Sequence, residues 1–373
     1  MPVRYDVVVL GAGPAGLAAA ITLRRHTGLS LLVIDGGDAV RERPGESAPP
    51  QLFDLIRKLG LAKDFLDDEH SHYPGNISLW GSDQPVFKDA IFSAIGGPWR
   101  LHRQRFDALL TRAAMDRNID VAWNTAYMGS EVLDHGKTGY QLRFYDRASG
   151  QYHQVRARFV IDATGPTARF ARERGARRVV DDRLHALACF ISTQQQNMTM
   201  QAMIEATEQG WWYAARLMGD RAVIMHVTEK SFSQSLLQND HSGWQTALQQ
   251  TKLINPKIEF PATGKHTYHA FPVYSSLHQK MQGPGWLATG DAASCYDPVV
   301  AQGLYKALHD GIGAGERVTS LLCGSGLEHD TSYESGIKTR YEEYFRYRTA
   351  LYQQEARWCN SPFWQNRQMK VLS

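Results

Sequence analysis

Cysteine is scarce in this 373-residue chain, and its four cysteines are scattered without a C-x-x-C pair or a His/Cys cluster. Zinc sites and disulfide frameworks need closely spaced ligands of these kinds, so the sequence predicts neither a metal site nor a disulfide scaffold. No apolar run approaches the ~20 residues that span a bilayer as a helix. Scattered thiols, and a first strand that begins by Tyr5 and leaves no room for a signal peptide, favour a cytoplasmic protein.

A large excess of one charge is also missing. The 41 lysines and arginines against 38 acidic residues leave a net charge of +3, and no basic run is interleaved with aromatic residues. These features give no support to a nucleic-acid partner. Hydrophobic residues make up 43% of the chain, which supports a packed core, and the length allows two or three domains or one large elaborated domain.

The most informative pattern lies at residues 5–35, where an apolar run, a glycine turn, a helical stretch and a second apolar run follow one another. Apolar runs without alternation are typical of parallel strands buried on both faces. In the turn G-A-G-P-A-G, Gly11 allows a tight bend, Gly13 lets backbone amides approach a pyrophosphate, and Gly16 lets helix and strand pack closely. Asp35 follows near the distance at which a carboxylate meets a ribose hydroxyl. The unit therefore predicts a site for an ADP-containing dinucleotide.

Two later predicted strands also end in residues that suit contact with a bound cofactor. A predicted strand that ends at Asp162 leads into small residues around Gly165, which suit a backbone close to a bound cofactor. A second predicted strand ends in Gly290 and Asp291, where a carboxylate can meet a polyol hydroxyl. The helix that follows, with its N-terminus at Gly303, can face a ring that becomes anionic on reduction.

Arg103 stands near the start of a predicted helix at 104–117, where a cation is unfavourable for the helix dipole. An anionic partner such as a flavin phosphate explains this position, and a solvated arginine explains it equally well. The Gly/Pro-rich loop at 36–50 follows a strand end, where ligands bind in open α/β sheets, although it is also readable as a plain connection.

The pattern changes in the middle of the chain, where polar and apolar residues alternate. The strands predicted there are 186–192, 198–202, 211–217 and 221–227. We interpret them as an antiparallel sheet in a separate substrate layer, joined by a strand at 76–80 and a helix at 242–250. A C-terminal helix is predicted at 338–358, and its aromatic stripe is typical of packing onto the body of the protein.

Three separated segments agree with one another. The turn G-A-G-P-A-G with Asp35, D-A-T-G-P at 162–166 and G-D-A-A-S-C-Y-D-P-V-V-A-Q-G at 290–303 resemble, in this order, FAD-dependent monooxygenases of the p-hydroxybenzoate hydroxylase fold. The resemblance runs nearly end to end. It implies an α/β fold with a Rossmann-like FAD-binding domain built on a mixed or parallel sheet, an antiparallel-sheet substrate domain and a C-terminal helix. The predicted division is 1–75, 100–183 and 274–325 for the FAD-binding domain, 76–99 and 184–273 for the substrate domain, and 326–373 for the C-terminal segment.

Within that superfamily, the chain is most similar to the flavin-dependent tryptophan halogenases, through G-E-S at 45–47, G-W-W-Y at 210–213 and R-W-C-N-S-P-F-W at 357–364. The resemblance implies FAD as cofactor, O2 as co-substrate, and electrons from NAD(P)H or a separate reductase. No second glycine fingerprint appears, so a dedicated nicotinamide domain is not expected. The residues placed at the cofactor are Gly11, Gly13, Pro14, Ala15, Gly16, Asp35, Ser47, Arg103, Gly165, Gly290, Asp291, Pro298, Gly303 and Leu304.

The chain also departs from the halogenases. Their motif G-W-x-W-x-I-P is broken, because Tyr213, Ala215 and Arg216 stand where halogenases have the second Trp, the Ile and the Pro. The lysine with which halogenases handle hypohalous acid is missing from residues 70–80, and His72 or Tyr73 falls near its place. The predicted catalytic residues are His72, Tyr73 and Pro298, the predicted substrate-pocket residues are Trp80, Trp211 and Tyr213, and further candidate bases are His226, His266 and His269.

The resemblance therefore implies hydroxylation of an electron-rich aromatic ring, most simply an indole. A subset of halogenase-like flavoproteins hydroxylates a tryptophan inside a partner protein during maturation of tryptophylquinone enzymes, and the chain looks similar to that subset. Three alternatives stay open: a small-molecule aromatic hydroxylase, an FAD-dependent reductase of the geranylgeranyl-reductase type, and a non-catalytic FAD-bound chaperone for a precursor protein.

Overall fold

A computed structural model describes residues 3–39, 44–93, 95–133, 139–192, 198–238, 242–258, 267–324 and 330–369. The strands are β1 Val3–Leu10, β2 Leu31–Ile34, β3 Ser47–Ala48, β4 Ser71–His72, β5 Gly75–Leu79, β6 Val86–Asp89, β7 Trp99–Arg100, β8 Asp120–Ala122, β9 Thr125–Leu133, β10 Gly139–Asp146, β11 Gln151–Asp162, β12 Arg178–Ser192, β13 Ala202–Thr207, β14 Gly210–Arg216, β15 Arg221–Thr228, β16 Tyr268–His278, β17 Gln282–Gly283, β18 Trp286–Ala288 and β19 Ser294–Cys295. The helices are α1 Pro14–His26, α2 Leu52–Lys58, α3 Ala62–Asp67, α4 Arg103–Met115, α5 Arg169–Glu173, α6 Lys230–Leu236, α7 Ser242–Gln249, α8 Gly303–Cys323, α9 Ser332–Gln353 and α10 Pro362–Gln368.

The first sheet brings the carboxyl ends of its parallel strands to one edge. Its strand order is β17-β18-β11-β1-β2-β8, and the hairpin β9–β10 extends it beside β11. Leu10 at the end of β1 pairs with both Ile34 and Asp162, Ile34 pairs with Ala122, and Asp162 pairs with Ala288. The segments that follow these strands therefore start from one row, where open α/β sheets bind ligands.

Helix α8 packs closely on α1, which places the N-termini of both helices at that edge. Gly311 and Gly315 permit the approach, because a Cβ atom on Gly311 would lie 2.3 Å from the Ala15 carbonyl oxygen, and one on Gly315 would lie 2.7 Å from Cβ of Thr22. Close backbone approach of this kind requires glycine. The first turn of α8 is thus fixed relative to the glycine turn that precedes α1.

The second sheet has the order β19-β16-β12-β15-β14-β13-β5-β6 and is antiparallel except where β13 runs parallel to β5. It confirms the predicted strand near 76–80 and the strands at 186–192, 211–217 and 221–227. The strand predicted at 198–202 is wrong, because β13 begins only at Ala202. The hydroxyl of Thr199 accepts a hydrogen bond from the Gln201 backbone N–H, and such local bonding competes with strand pairing.

Together the two sheets confirm the predicted α/β fold with a mixed first sheet and an antiparallel second one. Strands β12 and β16 both belong to the second sheet, and the boundaries predicted near residues 183 and 273 fall inside them. The division of the chain into domains itself stays a prediction.

The C-terminal helix is shifted toward the N-terminus from its predicted position, and the chain turns after Gln353 into the short helix α10. Glu355 accepts hydrogen bonds from the backbone N–H and the guanidinium of Arg357, which holds the turn. Tyr341, Tyr344 and Tyr352 are buried, as the packing interpretation of the aromatic stripe expects.

Candidate functional site

A cleft of about 1250 Å³ opens along the edge where the parallel strands of the first sheet end, and residues 268–271 of β16 line its other side. Ten of the residues predicted at the cofactor line it: Gly11, Gly13, Pro14, Ala15, Asp35, Arg103, Gly165, Asp291, Gly303 and Leu304. The other four, Gly16, Ser47, Gly290 and Pro298, are not among its lining residues. Segments from four distant parts of the chain thus converge on one space.

In the glycine turn, two glycines are in close contact with neighbouring backbone, and the third faces open space. A Cβ atom on Gly11, whose φ is +110°, would lie 2.2 Å from the Ala163 carbonyl oxygen, and one on Gly16 would lie 1.9 Å from the Gly11 carbonyl oxygen. A Cβ atom on Gly13 would meet nothing within 4 Å. Helix α1 begins directly afterwards without a side-chain cap, so its first N–H groups remain available to an anion.

Asp35 is fixed at the cleft by backbone amides. Its Oδ2 accepts a hydrogen bond of 2.9 Å from Ala12 N–H, and its Oδ1 accepts one of 2.9 Å from Gly37 N–H. These two bonds fix the orientation of the Asp35 side chain, whose oxygens are acceptors at this end of the cleft. Such an acceptor suits ribose hydroxyls.

Arg103 brings a cation to the same cleft. Its side chain is only 11% exposed; Nη1 donates to the Pro44 carbonyl oxygen at 2.9 Å and Nε to Asp107 at 3.1 Å. These bonds hold the guanidinium in one orientation at the cleft wall, where it can meet a phosphate.

Asp291 is held by a residue that sequence reasoning missed. Nζ of Lys306 lies 3.2 Å from Oδ1 of Asp291 and 3.6 Å from Oδ2 of Asp310, and Asp310 also pairs with Arg340 at 2.9 Å. Burial lowers the pKa of Lys306, but the two carboxylates more than offset it, so the net shift is upward and the lysine stays charged. No local feature of the sequence around Lys306 signals this role.

A second cluster joins three predicted residues to the unpredicted Arg100. Nη1 of Arg100 donates to Ser47 Oγ at 2.8 Å and to the Tyr213 hydroxyl at 3.0 Å, while Ser47 Oγ and the Tyr213 hydroxyl lie 2.8 Å apart. The guanidinium carbon of Arg100 lies 4.2 Å from the centre of the Tyr73 ring. The cluster connects the cofactor-side strands β3 and β7 to strand β14 of the second sheet. We call these four residues the Arg100 cluster.

The two predicted substrate-pocket tryptophans lie elsewhere. Trp211 is 2% exposed and donates from Nε1 to the Tyr352 hydroxyl at 3.0 Å, and Trp80 donates to the Leu351 carbonyl oxygen at 2.8 Å. Both pack around Trp364 and Tyr352. Neither lines the cleft, so their assignment to the substrate pocket stays a prediction.

The candidate histidines are separated by the fold. His269 lines the cleft. His72 is exposed, with Nδ1 2.8 Å from the Gly97 carbonyl oxygen and its ring against Trp99. His226 is buried and stacked on Trp212, and burial lowers its pKa to about 3. His266 lies outside the described residues.

The turn that leads into α8 is tied to the C-terminal helix α9. Asp297 is 1% exposed; its Oδ2 accepts from Tyr352 at 2.8 Å and pairs with Arg348 at 3.2 Å. Its backbone N–H donates to the Tyr344 hydroxyl at 2.7 Å. Pro298, predicted to be catalytic, follows directly but does not line the cleft, and its role stays a prediction.

Two negative findings concern the described ranges only. No helix in them is long and apolar enough to cross a membrane. No group of three or more His, Cys, Asp or Glu side chains within the same ranges could hold a metal ion.

Comparisons with known proteins agree over nearly the whole chain. The sequence profile that describes FAD binding domains matches residues 4–336. LodB of Marinomonas mediterranea, an FAD-dependent oxidoreductase by its name, is 29% identical over 364 residues that cover 97% of this chain and 96% of LodB.

Two solved structures share the fold. The flavin-dependent halogenase CmlS matches with a TM-score of 0.84 at 21% identity, covering 99% of this chain and 68% of CmlS. QhpG, a peptidyl tryptophan dihydroxylase essential for tryptophylquinone cofactor biogenesis, matches with a TM-score of 0.79 at 23% identity, covering 99% of this chain and 81% of QhpG.

Proposed function

We propose, from the premise that the chain belongs to the FAD-binding domain family, that it is a monooxygenase that hydroxylates an electron-rich aromatic ring. Family membership confirms two sequence predictions, FAD as the cofactor and an FAD-dependent oxidoreductase as the class of enzyme. The insertion of oxygen, the aromatic substrate and the identity of the ring are the proposal.

The residues of the cleft fit FAD. Open space beside Gly13 and the uncapped start of α1 suit a pyrophosphate, the fixed carboxylate of Asp35 suits the ribose, and Arg103 supplies a cation. Asp291 and the N-terminus of α8 at Gly303 would hold the flavin end. The convergence of the glycine turn before α1 and of Asp291 and Gly303 on one cleft is the observation that carries the proposal.

When bound and reduced, FAD supplies the activation of O2. The chain's own share is to hold the ring in place, keep water out and move a proton. Tyr268 and Phe271 line the cleft with aromatic side chains, and His269, which lines it too, is a group that can accept a ring proton. Of the candidate histidines in the described ranges, His269 is the one that lines this space.

Halogenation fits this chain poorly. Residues 70–80, all of which the structure describes, contain no lysine, and the cation beside Tyr73 is the guanidinium of Arg100. A guanidinium keeps its proton at any working pH, so it cannot act as the neutral amine that a halogenase lysine offers. Hydroxylation needs no such amine.

We further propose that the ring is the indole of a tryptophan in a partner protein. LodB covers the chain almost completely, and QhpG, whose name describes action on a peptidyl tryptophan, shares its fold. Electrons come from NAD(P)H or a separate reductase. The cytoplasmic location predicted from the sequence belongs to this proposal.

The test is product analysis under isotopically heavy dioxygen. Purified protein loaded with FAD and supplied with NAD(P)H, or with a flavin reductase, is incubated with indole, L-tryptophan and a capped tryptophan peptide. We expect one heavy oxygen atom in the product and the greatest turnover with the peptide. A gain of two hydrogens would identify a reductase, oxygenation of free indole alone a small-molecule hydroxylase, and no mass change an FAD-bound chaperone; each overturns the proposal in part or whole.

A further inference from the structure

Arg100 is a buried cation whose charge has no carboxylate partner. Its side chain is 3% exposed, and its Nη2 atom is buried with no hydrogen-bond partner among the described residues. Within those same residues no carboxylate oxygen lies within 4.0 Å of its guanidinium. Its contacts are the two hydroxyls and the aromatic face of the Arg100 cluster.

The other buried arginines differ in this respect. Arg348, which is 0% exposed, pairs with Asp182 and Asp297, and Arg367, which is 1% exposed, pairs with Asp182 and Glu229. A buried charge without a counter-charge is costly, and proteins pair such groups when they can. Each of these two arginines has two carboxylate partners, although Arg348 Nη1 and Arg367 Nε, like Arg100 Nη2, make no hydrogen bond within the described ranges. Arg100 differs from them in having no carboxylate partner among the described residues.

Glu46, the acidic residue next to Ser47, is not an ion-pair partner of Arg100. Glu46 accepts a hydrogen bond of 3.0 Å from Gly45 N–H, and its carboxylate lies beyond ion-pair distance of Arg100. Burial raises the pKa of Glu46, although Arg103 and Arg100 oppose this shift. A carboxyl group whose pKa is raised is a weaker counter-charge for Arg100.

The Arg100 cluster lies on the face of the second sheet that also carries the cleft. Tyr213 pairs with Met225, Met225 with Ala188 and Ala188 with His269, so these four residues form one row and share a face. Three strand spacings separate the Tyr213 and His269 backbones by roughly 14 Å. On the cofactor side, Ser47 follows two residues after Gly45, which lines the cleft.

We propose that Arg100, with Ser47 and Tyr213, binds a carboxylate of the substrate, which in a partner protein is an acidic side chain close to the target tryptophan. The free Nη2–H donates to one oxygen of the carboxylate, and the two hydroxyls, which rotate, donate to the other. The Tyr73 ring holds the guanidinium plane from one side. This subsite rests on the proposed function only for the aromatic ring; the carboxylate follows from Arg100.

The test compares two probes of nearly equal size, indolepropionate and indolepropionamide, which differ in charge. Their dissociation constants for the FAD-loaded, oxidised protein are measured by calorimetry and by perturbation of the flavin spectrum. We expect the acid to bind at least about tenfold more tightly than the amide. In Arg100→Met this preference falls to about twofold or less, while the amide's dissociation constant stays the same.

Arg112→Met is the matched control, because Arg112 is a half-exposed arginine that pairs with Asp68 on the outside of α4. It should keep the full preference for the acid. If Arg100→Met loses FAD or folds poorly, Tyr213→Phe and Ser47→Ala replace it in the test. Each should weaken the binding of indolepropionate about threefold and leave the binding of indolepropionamide unchanged. Arg100→Lys should retain part of the preference.

Equal affinity of the wild-type protein for both probes, binding of neither, or a preference that survives in Arg100→Met overturns the subsite and leaves a buried water as the partner of Nη2. These outcomes are separate from the oxygenation test. A protein that oxygenates an indole without preferring the acid keeps its proposed function and loses the subsite. A protein that prefers the acid but oxygenates no ring keeps the subsite and loses its proposed function.

Discussion

Nζ of Lys306 lies 3.2 Å from Oδ1 of Asp291 and joins the first turn of helix α8 to the strand end that lines the cleft. Lys306 is 4% exposed, whereas the Asp291 side chain is 46% exposed toward the cleft. The lysine is therefore the buried anchor of an accessible carboxylate, and it acts on whatever occupies the cleft through Asp291.

Replacing Lys306 with methionine should lower both stability and FAD affinity. The change leaves Asp310 buried with one cation fewer, which should lower the free energy of unfolding by about 3 kcal/mol, and it releases Asp291. Lys338→Met is the control, because that lysine is 43% exposed and pairs with Glu334 on the surface of α9. Urea unfolding and FAD titration of the apoprotein measure both effects. Equal behaviour of the two variants would show that the lysine anchors nothing.

The glycine turn allows a test that separates packing from cofactor contact. Gly13→Ala adds a methyl group into open space on the cleft side, so the apoprotein should keep its melting temperature while FAD affinity falls by about tenfold. Gly11→Ala should instead destabilise the apoprotein by roughly 3 kcal/mol, because of its positive φ and its contact with Ala163. Gly28→Ala, also in open space but away from the cleft, should change neither quantity. Normal FAD binding by Gly13→Ala would place the cofactor elsewhere.

Acid sensitivity should depend on His226. Burial lowers its pKa from 6.5 to about 3, so below pH 6.5 the unfolded chain binds a proton that the folded chain does not, and stability falls as the pH falls. Between about pH 7 and about pH 5 this histidine should account for a loss of roughly 2 kcal/mol. His226→Phe keeps a ring beside Trp212 and should lose that much less over this range, whereas His153→Gln, at an exposed position, should follow the wild type. Denaturant unfolding at a series of pH values gives the slopes; parallel slopes for all three proteins would contradict the assignment.

Substitutions of His269 and His72 should affect catalysis differently. If His269 accepts the ring proton, His269→Gln should lower the rate of product formation by about 10²-fold, with FAD binding unchanged. His72→Gln should leave both intact, because His72 lies outside the cleft against Trp99. The reverse result would support the role of His72 as the catalytic residue, which the sequence predicted.

The parts of the site that the sequence predicts well are those that backbone geometry requires. Gly11, Gly13 and Asp35 belong to a local unit whose spacing is set by one strand, one turn and one helix, so they were identifiable without knowledge of the rest. Their meeting with Asp291 and Gly303 followed from the rule that parallel strands end at one edge.

Long-range side-chain partners were beyond the sequence. Arg100 and Lys306 were missed because nothing local distinguishes a buried arginine or lysine from a solvated one; only tertiary contacts with Tyr213 and Asp310 do so. The aromatic residues Trp80 and Trp211 matched a motif, yet the structure packs them under Tyr352, which a motif cannot reveal. Strand β9 escaped notice because Gly129 interrupts its pattern.

The ties between Asp297 and helix α9 have a consequence for how the protein is made. The residues that hold this turn, Tyr344, Arg348 and Tyr352, are synthesised long after the glycine turn at residues 11–16. A nascent polypeptide that has already formed its glycine turn still lacks the brace for the opposite side of the cleft. A polypeptide that ends before helix α9 therefore lacks the contacts that fix Asp297 at the entry to α8.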